Sequence, residues 1–191
     1  MGVPSGYTSA QVVQAVPTGI NSALVFISSA TVSAAAGLTM TNVFSSTYDN
    51  YLVQFTGLTT DTIQKIITMR VGTGGTADTA SDYSSSEMQV FNGTLTGSES
   101  ESVSGWALVA GTGITNDLSQ ANFLIANPYA AKETTISGTY FSHGFSSVIY
   151  IGLQVFGGMK ETATQYTDWF LTAPGSFTMS ATCKIYGYAN S

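Results

Sequence analysis

A catalytic triad in this sequence would have to be built on His143, the single histidine, together with one of many serines and an aspartate. Ser142 before it and Gly144 after it read as a turn between two strands, where an imidazole does no more than meet water. No Gly-x-Ser-x-Gly stretch, the turn that exposes a nucleophilic serine, occurs. Eleven acidic residues could supply a carboxylate pair for glycosidic cleavage, but nothing in the sequence sets the separation that such chemistry needs. Asp78, Asp82 and Glu87 fall in or near one loop, and Glu99 with Glu101 in another, where oxygen ligands could gather around calcium. Neither group has the spacing of a calcium loop, so both read as solvated loop carboxylates. Gly72-Thr73-Gly74-Gly75 is followed by no Gly-Lys-Ser or Gly-Lys-Thr and reads as a turn, not a phosphate cradle. The expectation is a protein that is not an enzyme and uses no catalytic residue, cofactor or metal.

Binding is a better prospect than turnover. Ten tyrosines, ten phenylalanines and two tryptophans are spread along the chain. Rings with a polar rim suit a sugar, whose C–H faces stack on them while Asn, Gln and Asp orient the hydroxyls. Most rings in a β-sandwich are core, so the candidates are narrowed to one place: Tyr166, Asp168 and Trp169, close after Gln165, are predicted to form an exposed binding group. Cys183, the single cysteine, excludes an internal disulfide and a cysteine zinc site, and reads as a small core residue.

The elements that must position these residues are strands. From Asp49 onward apolar residues recur at every second position, in blocks at the spacing of sandwich strands. Tyr51, Val53 and Phe55 alternate with Leu52, Gln54 and Thr56, and further strands are predicted over Ile63–Val71, Tyr83–Phe91, Trp106–Ala110 and Ala121–Asn127. Thr134, Ile136, Gly138 and Tyr140 continue the alternation, and Ser147–Phe156 is more continuously apolar, as a central strand would be. The last strand is the clearest, with Phe177, Met179, Ala181, Cys183 and Ile185 on one face. No window carries a capped 3.6-residue period. The fold class is all-β: an antiparallel two-sheet β-sandwich, jelly-roll-like, over residues 39–191.

Residues 1–38 differ, being rich in Ala, Ser, Val and Thr, with two prolines and no charge. They are predicted to form an extended N-terminal arm that docks on a neighbour; the competing reading makes them the first strands of the sheet. No basic region follows Met1, and Gly6 stands where a myristoylation motif needs Ser or Thr, so neither export signal nor lipid anchor is expected.

Composition points to neighbours. Charged residues make up 8% of the 191, against about 25% in ordinary soluble domains. The centres of interfaces are depleted in the same residue types. A net charge of −6, with Arg70 and four lysines as the cations, disfavours nucleic acid. No apolar stretch is long and uninterrupted enough to predict membrane insertion.

Val43-Phe44-Ser45-Ser46-Thr47-Tyr48-Asp49-Asn50-Tyr51-Leu52-Val53 resembles the entry strand of a β-sandwich module in tail-fibre-like and other virion proteins of tailed bacteriophages, especially marine ones. Met69-Arg70-Val71 before a Gly-rich loop, Ile125-Ala126-Asn127-Pro128, the closing Cys183-Lys184-Ile185-Tyr186-Gly187-Tyr188 and the lead-in Ala10–Thr18 agree with it. The resemblance implies a homotrimeric, non-enzymatic structural protein at the virion surface, a capsid decoration or short appendage attached to capsid or tail proteins through its arm. The alternative it implies is a receptor-binding fibre tip that recognises host surface glycan or protein.

Overall fold

Residues that alternate between apolar and polar favour a pleated strand, because one face packs while the other is wetted. A computed structural model describes residues 24–62, 65–91, 93–110, 119–143 and 151–189, and these residues contain strands and no helix. In chain order the strands are β1 (Leu24–Ala35), β2 (Gly37–Met40), β3 (Asn50–Thr60), β4 (Lys65–Thr73), β5 (Thr76–Ala77), β6 (Tyr83–Phe91), β7 (Thr94–Val103), β8 (Trp106–Ala110), β9 (Ser119–Ala126), β10 (Thr134–His143), β11 (Ile151–Lys160), β12 (Asp168–Thr172) and β13 (Met179–Tyr188).

They form two antiparallel sheets. The larger has eight strands in the order β1-β13-β3-β9-β10-β11-β6-β7, and the smaller has five, in the order β2-β12-β4-β5 with β8 also paired to β4. Side chains from the two inner faces interdigitate: Tyr51, Val53, Phe55, Phe123, Ile125, Met179, Cys183 and Ile185 from one, Leu38, Met40, Ile67, Met69, Val71, Leu108 and Leu171 from the other. A series of rings runs through this core. Tyr83 meets Trp106 edge-on at 4.9 Å, Trp106 stacks on Trp169 at 6.4 Å, Trp169 stacks on Phe55 at 6.4 Å, and Phe123 and Phe156 follow. Aromatic pairs at these distances add about 0.5–1.5 kcal/mol each beyond the area they bury.

The two-sheet antiparallel sandwich is as expected, but the domain boundary is not. Leu24–Ala35 is the strand beside β13, with the Thr31 and Thr182 hydroxyls 3.0 Å apart, and Gly37–Met40 pairs with β12. The uncharged segment 24–38 therefore belongs to the chain's own sheets: Leu38 finds its apolar cover in this core, not on a neighbour. The part of the expected arm before Leu24 lies outside the described residues.

Two strands fall outside those that the alternation predicted. β7 carries Thr-Leu-Thr-Gly-Ser-Glu-Ser-Glu-Ser with hardly an apolar residue, because it is an edge strand exposed on both faces. β12 is short and buried on both faces, so it shows no alternation. Gly72-Thr73-Gly74-Gly75 does make a turn: Gly74 and Gly75 have φ of 62° and 79° in the hairpin between β4 and β5, a geometry glycine adopts without a Cβ clash.

Candidate functional site

The predicted binding group is not a surface. Tyr166, Asp168 and Trp169 are all buried. Trp169 sits in the aromatic series because β12 is an interior strand of the smaller sheet, between β2 and β4, and its alternate residues point into the core. The Asp168 carboxylate accepts hydrogen bonds from the Asn42 amide at 2.9 Å, the Gly75 amide at 2.6 Å and the Thr167 hydroxyl at 2.7 Å. Burial pushes its carboxyl up, and the bonds from Asn42, Thr167 and Gly75 more than offset this, so it lies below the usual carboxylate range. Its work is to fasten the 41–44 loop and the β4–β5 turn to β12. Exposure was the wrong inference because a Trp that follows an Asp looks the same in sequence whether its strand is central or at a rim.

Tyr166 leads to a charged cluster. Its hydroxyl donates to Asp78 Oδ2 at 2.9 Å, and Lys160 Nζ lies 3.2 Å from that same oxygen. Lys160 Nζ also meets Asp82 Oδ1, and the Thr162 hydroxyl meets Asp82 Oδ2. The lysine side chain is fully buried, over the Tyr83 ring at 4.9 Å and the Tyr166 ring at 5.8 Å. Burial pulls the Lys160 ammonium down, and its bonds to Asp82 and Asp78 more than restore it, leaving it above the ordinary lysine range. Asp78 and Asp82, expected as solvated loop carboxylates, are instead the partners of a buried cation; Glu87 accepts from the Ser98 hydroxyl at 2.8 Å. Among the described residues no group of three or more acidic, histidine or cysteine side chains is placed to hold a metal. His143 is the last residue of β10, opposite Ile151, and its turn partner Gly144 lies outside the described residues.

Two surface features remain. The first is a recess of about 250 Å³ lined by Ser45, Tyr48, Asp49, Asn127, Tyr129 and Gln165. Its loops are tied together by backbone bonds, from the Asn127 amide to the Asp49 carbonyl at 2.8 Å and from the Tyr166 amide to the Pro128 carbonyl at 2.7 Å. Two phenol rings beside Asp, Asn and Gln make the aromatic-plus-polar lining sought at Tyr166 and Trp169.

The second is the outer face of the larger sheet. Leu153 pairs with Val90 and Phe141, Val155 with Met88, and Val90 with Leu95. Leu95 is 61% exposed, Leu153 53%, Met88 50% and Val155 46%. None of these six positions is charged. Gln154 and Phe156, between and after the exposed pair on β11, are buried on the inner face, so the strand is covered on one side while its apolar outer side is open.

Family models, curated proteins and solved structures give no match to this chain.

Function therefore has to be read from the two features themselves. The outer face had a signal in the sequence: the continuously apolar run Ser147–Phe156 predicted a central strand, and in its described part, which begins at Ile151, the described residues cover only the inner face. The recess had a weaker one, since Tyr48-Asp49 and Asn127-Pro128-Tyr129 are far apart in sequence and meet only through the β3–β9 pairing.

Proposed function

We propose that this chain is a non-enzymatic structural protein of a tailed-phage virion surface, a homotrimeric appendage or capsid decoration whose copies pack through the outer face of β6, β11 and β7. The observation that carries this reading is the uncovered, uncharged row Leu95-Val90-Leu153 with Met88 and Val155 beside it. Contiguous exposed apolar side chains of this kind are characteristic of interaction surfaces. Covering them is worth several kcal/mol, at roughly 1.5–3 kcal/mol for each Val, Leu or Met buried in full. The edge supports the same reading. Among the described strands β1 is outermost on its side, and Leu-Val-Phe-Ile-Ser-Ser-Ala-Thr-Val-Ser-Ala-Ala carries neither Lys nor Pro, the residues that guard a sheet edge against pairing. The resemblance of the entry and closing strands to virion modules supplies the setting, and capsid or tail proteins are the further partners.

The test is to image intact particles with a label on this protein and to measure the mass of the purified chain in solution. A trimer that decorates the particle supports the proposal; a monomer absent from particles ends it.

The recess between Tyr48 and Tyr129 favours a second reading, recognition of a host surface glycan. Tyr129→Ala should then abolish adsorption to host cells without changing particle incorporation, and unchanged adsorption removes this reading.

A further inference from the structure

Lys160 and Asp82 sit at the end of the β6–β11 ladder. Lys160 is paired with Tyr83, and one step further the Glu161 amide donates to the Asp82 carbonyl at 2.9 Å, so the two strands are held together at this point. The Lys160 ammonium is buried, in contact with Asp82 Oδ1, and beside a second carboxylate, Asp78, at 3.2 Å. Tyr83 and Tyr166 wall it in, and Trp106 packs edge-on to Tyr83. Burying a lysine with two carboxylates is a costly way to hold two strands together, since the desolvation of each ion competes with their attraction. The arrangement has the parts that amide formation needs: an amine in contact with a carboxyl group, a second carboxylate beside that amine to carry a proton, and a hydroxyl donor, Thr162, on the carboxyl oxygen that remains.

We propose that Lys160 and Asp82 are joined by an intramolecular isopeptide bond, with Asp78 as the proton carrier. One ammonium proton passes to Asp82 Oδ1, leaving a neutral amine against a neutral carboxylic acid. The Nζ lone pair attacks the Asp82 carboxyl carbon, and the charge that develops on Oδ2 is met by the Thr162 hydroxyl. Asp78 takes a second proton from Nζ as the N–C bond forms and returns it to Oδ1, whose bond to carbon breaks as water leaves. An ammonium and a carboxylate become an amide and one water, so no oxidant, reductant or co-reactant enters. Tyr166 and the Ala80 amide, bonded to Asp78 Oδ2 and Oδ1 at 2.9 Å each, hold the carrier in place. Condensation of free amines and acids in water is unfavourable, and the fixed contact offsets this because oriented groups in one fold reach effective concentrations of about 10⁵–10⁸ M. The proton rests on Nζ, so its transfer is the uphill entry, and water departs through the partly exposed side of Asp82. The bond goes beyond the virion reading and does not depend on it.

Intact mass spectrometry of the denatured full chain decides the matter. The expected mass is that of the sequence less one water, with trypsin unable to cut after Lys160 and a branched peptide carrying Asp82. Lys160→Arg, Asp82→Ala and Asp78→Asn should each return the mass to the full value for their own sequence, and Asp78→Asn should keep the β-sheet circular dichroism spectrum. A wild-type chain at full sequence mass, with Lys160 and Asp82 recovered in separate linear peptides, overturns the proposal whatever the variants do.

Discussion

The Tyr48 ring lies directly on Gly187, so closely that a Cβ at residue 187 would stand 2.4 Å from Tyr48 Cδ2. Gly187 is paired with Tyr51 on β3, and Tyr48 meets Tyr51 edge-on at 5.9 Å, so the entry and closing strands are locked by one glycine and two rings. Gly187→Ala must push Tyr48 aside, a change of the overpacking kind that costs about 1–3 kcal/mol. The urea unfolding midpoint should fall with its slope unchanged. The same variant should weaken any ligand held in the recess that Tyr48 lines, and an unaltered midpoint would show that the ring moves freely.

Asp168 is the acceptor for three donors from three places in the chain, Asn42, Gly75 and Thr167. Asp168→Ala leaves those donors facing a buried gap, at about 1–3 kcal/mol for each one left unsatisfied. The loss should exceed that of Gly187→Ala, and exchange of the Gly75 amide with solvent should accelerate more than exchange within β3. If the Gly75 amide exchanges as before, the turn is held by something other than this carboxylate.

Acid should destabilise the fold through the same groups. Backbone bonds hold Asp168 below the usual range, and Asp61, which accepts from the Thr178 amide at 3.0 Å and the Thr178 hydroxyl at 2.9 Å, is held low chiefly by that amide. A folded-state value below the unfolded one, near 3.9, means the folded protein binds fewer protons in that window. Their contribution is complete above about pH 5 and is lost as pH falls through the folded values. Unfolding free energies measured from about pH 7 to about pH 2 should decline below about pH 4, less steeply in Asp168→Asn. An equal decline in that variant would assign the acid sensitivity elsewhere.

Alternation made most of the sandwich legible. Tyr83–Phe91 and Trp106–Ala110 have the bounds expected for them, and Met179, Ala181, Cys183 and Ile185 are buried as the closing strand required. Period two reports a strand with one wet face, so it missed β7, wet on both faces, and β12, dry on both. Burial of Trp169 was illegible for the same reason: sequence gives a strand's content and not its place in the sheet. Lys160 was not singled out, because a lone lysine after Gly157-Gly158-Met159 looks like a solvated strand end until β6 brings Asp82 beside it.

The outer face makes the sharpest prediction about assembly. Leu153 is central to it, with Val90 opposite on β6 and Phe141 opposite on β10. As it is exposed in the single chain, Leu153→Glu should change monomer stability by no more than about 0.5 kcal/mol. In an interface the same carboxylate would be stripped of water against Val90 and Leu95, and a buried charge without a partner costs several kcal/mol. Sedimentation should therefore show wild-type trimers and variant monomers, the variant keeping the wild-type β-sheet circular dichroism spectrum and losing only the concentration-dependent stability that assembly adds. The uncharged row also fixes the salt response: ion pairs across an interface are screened as the Debye length shrinks from about 10 Å at 0.1 M to about 3 Å at 1 M, whereas apolar contact is not. Trimer dissociation should hold constant over that range, and a trimer that falls apart in salt, or survives Leu153→Glu, would place the contact on another surface.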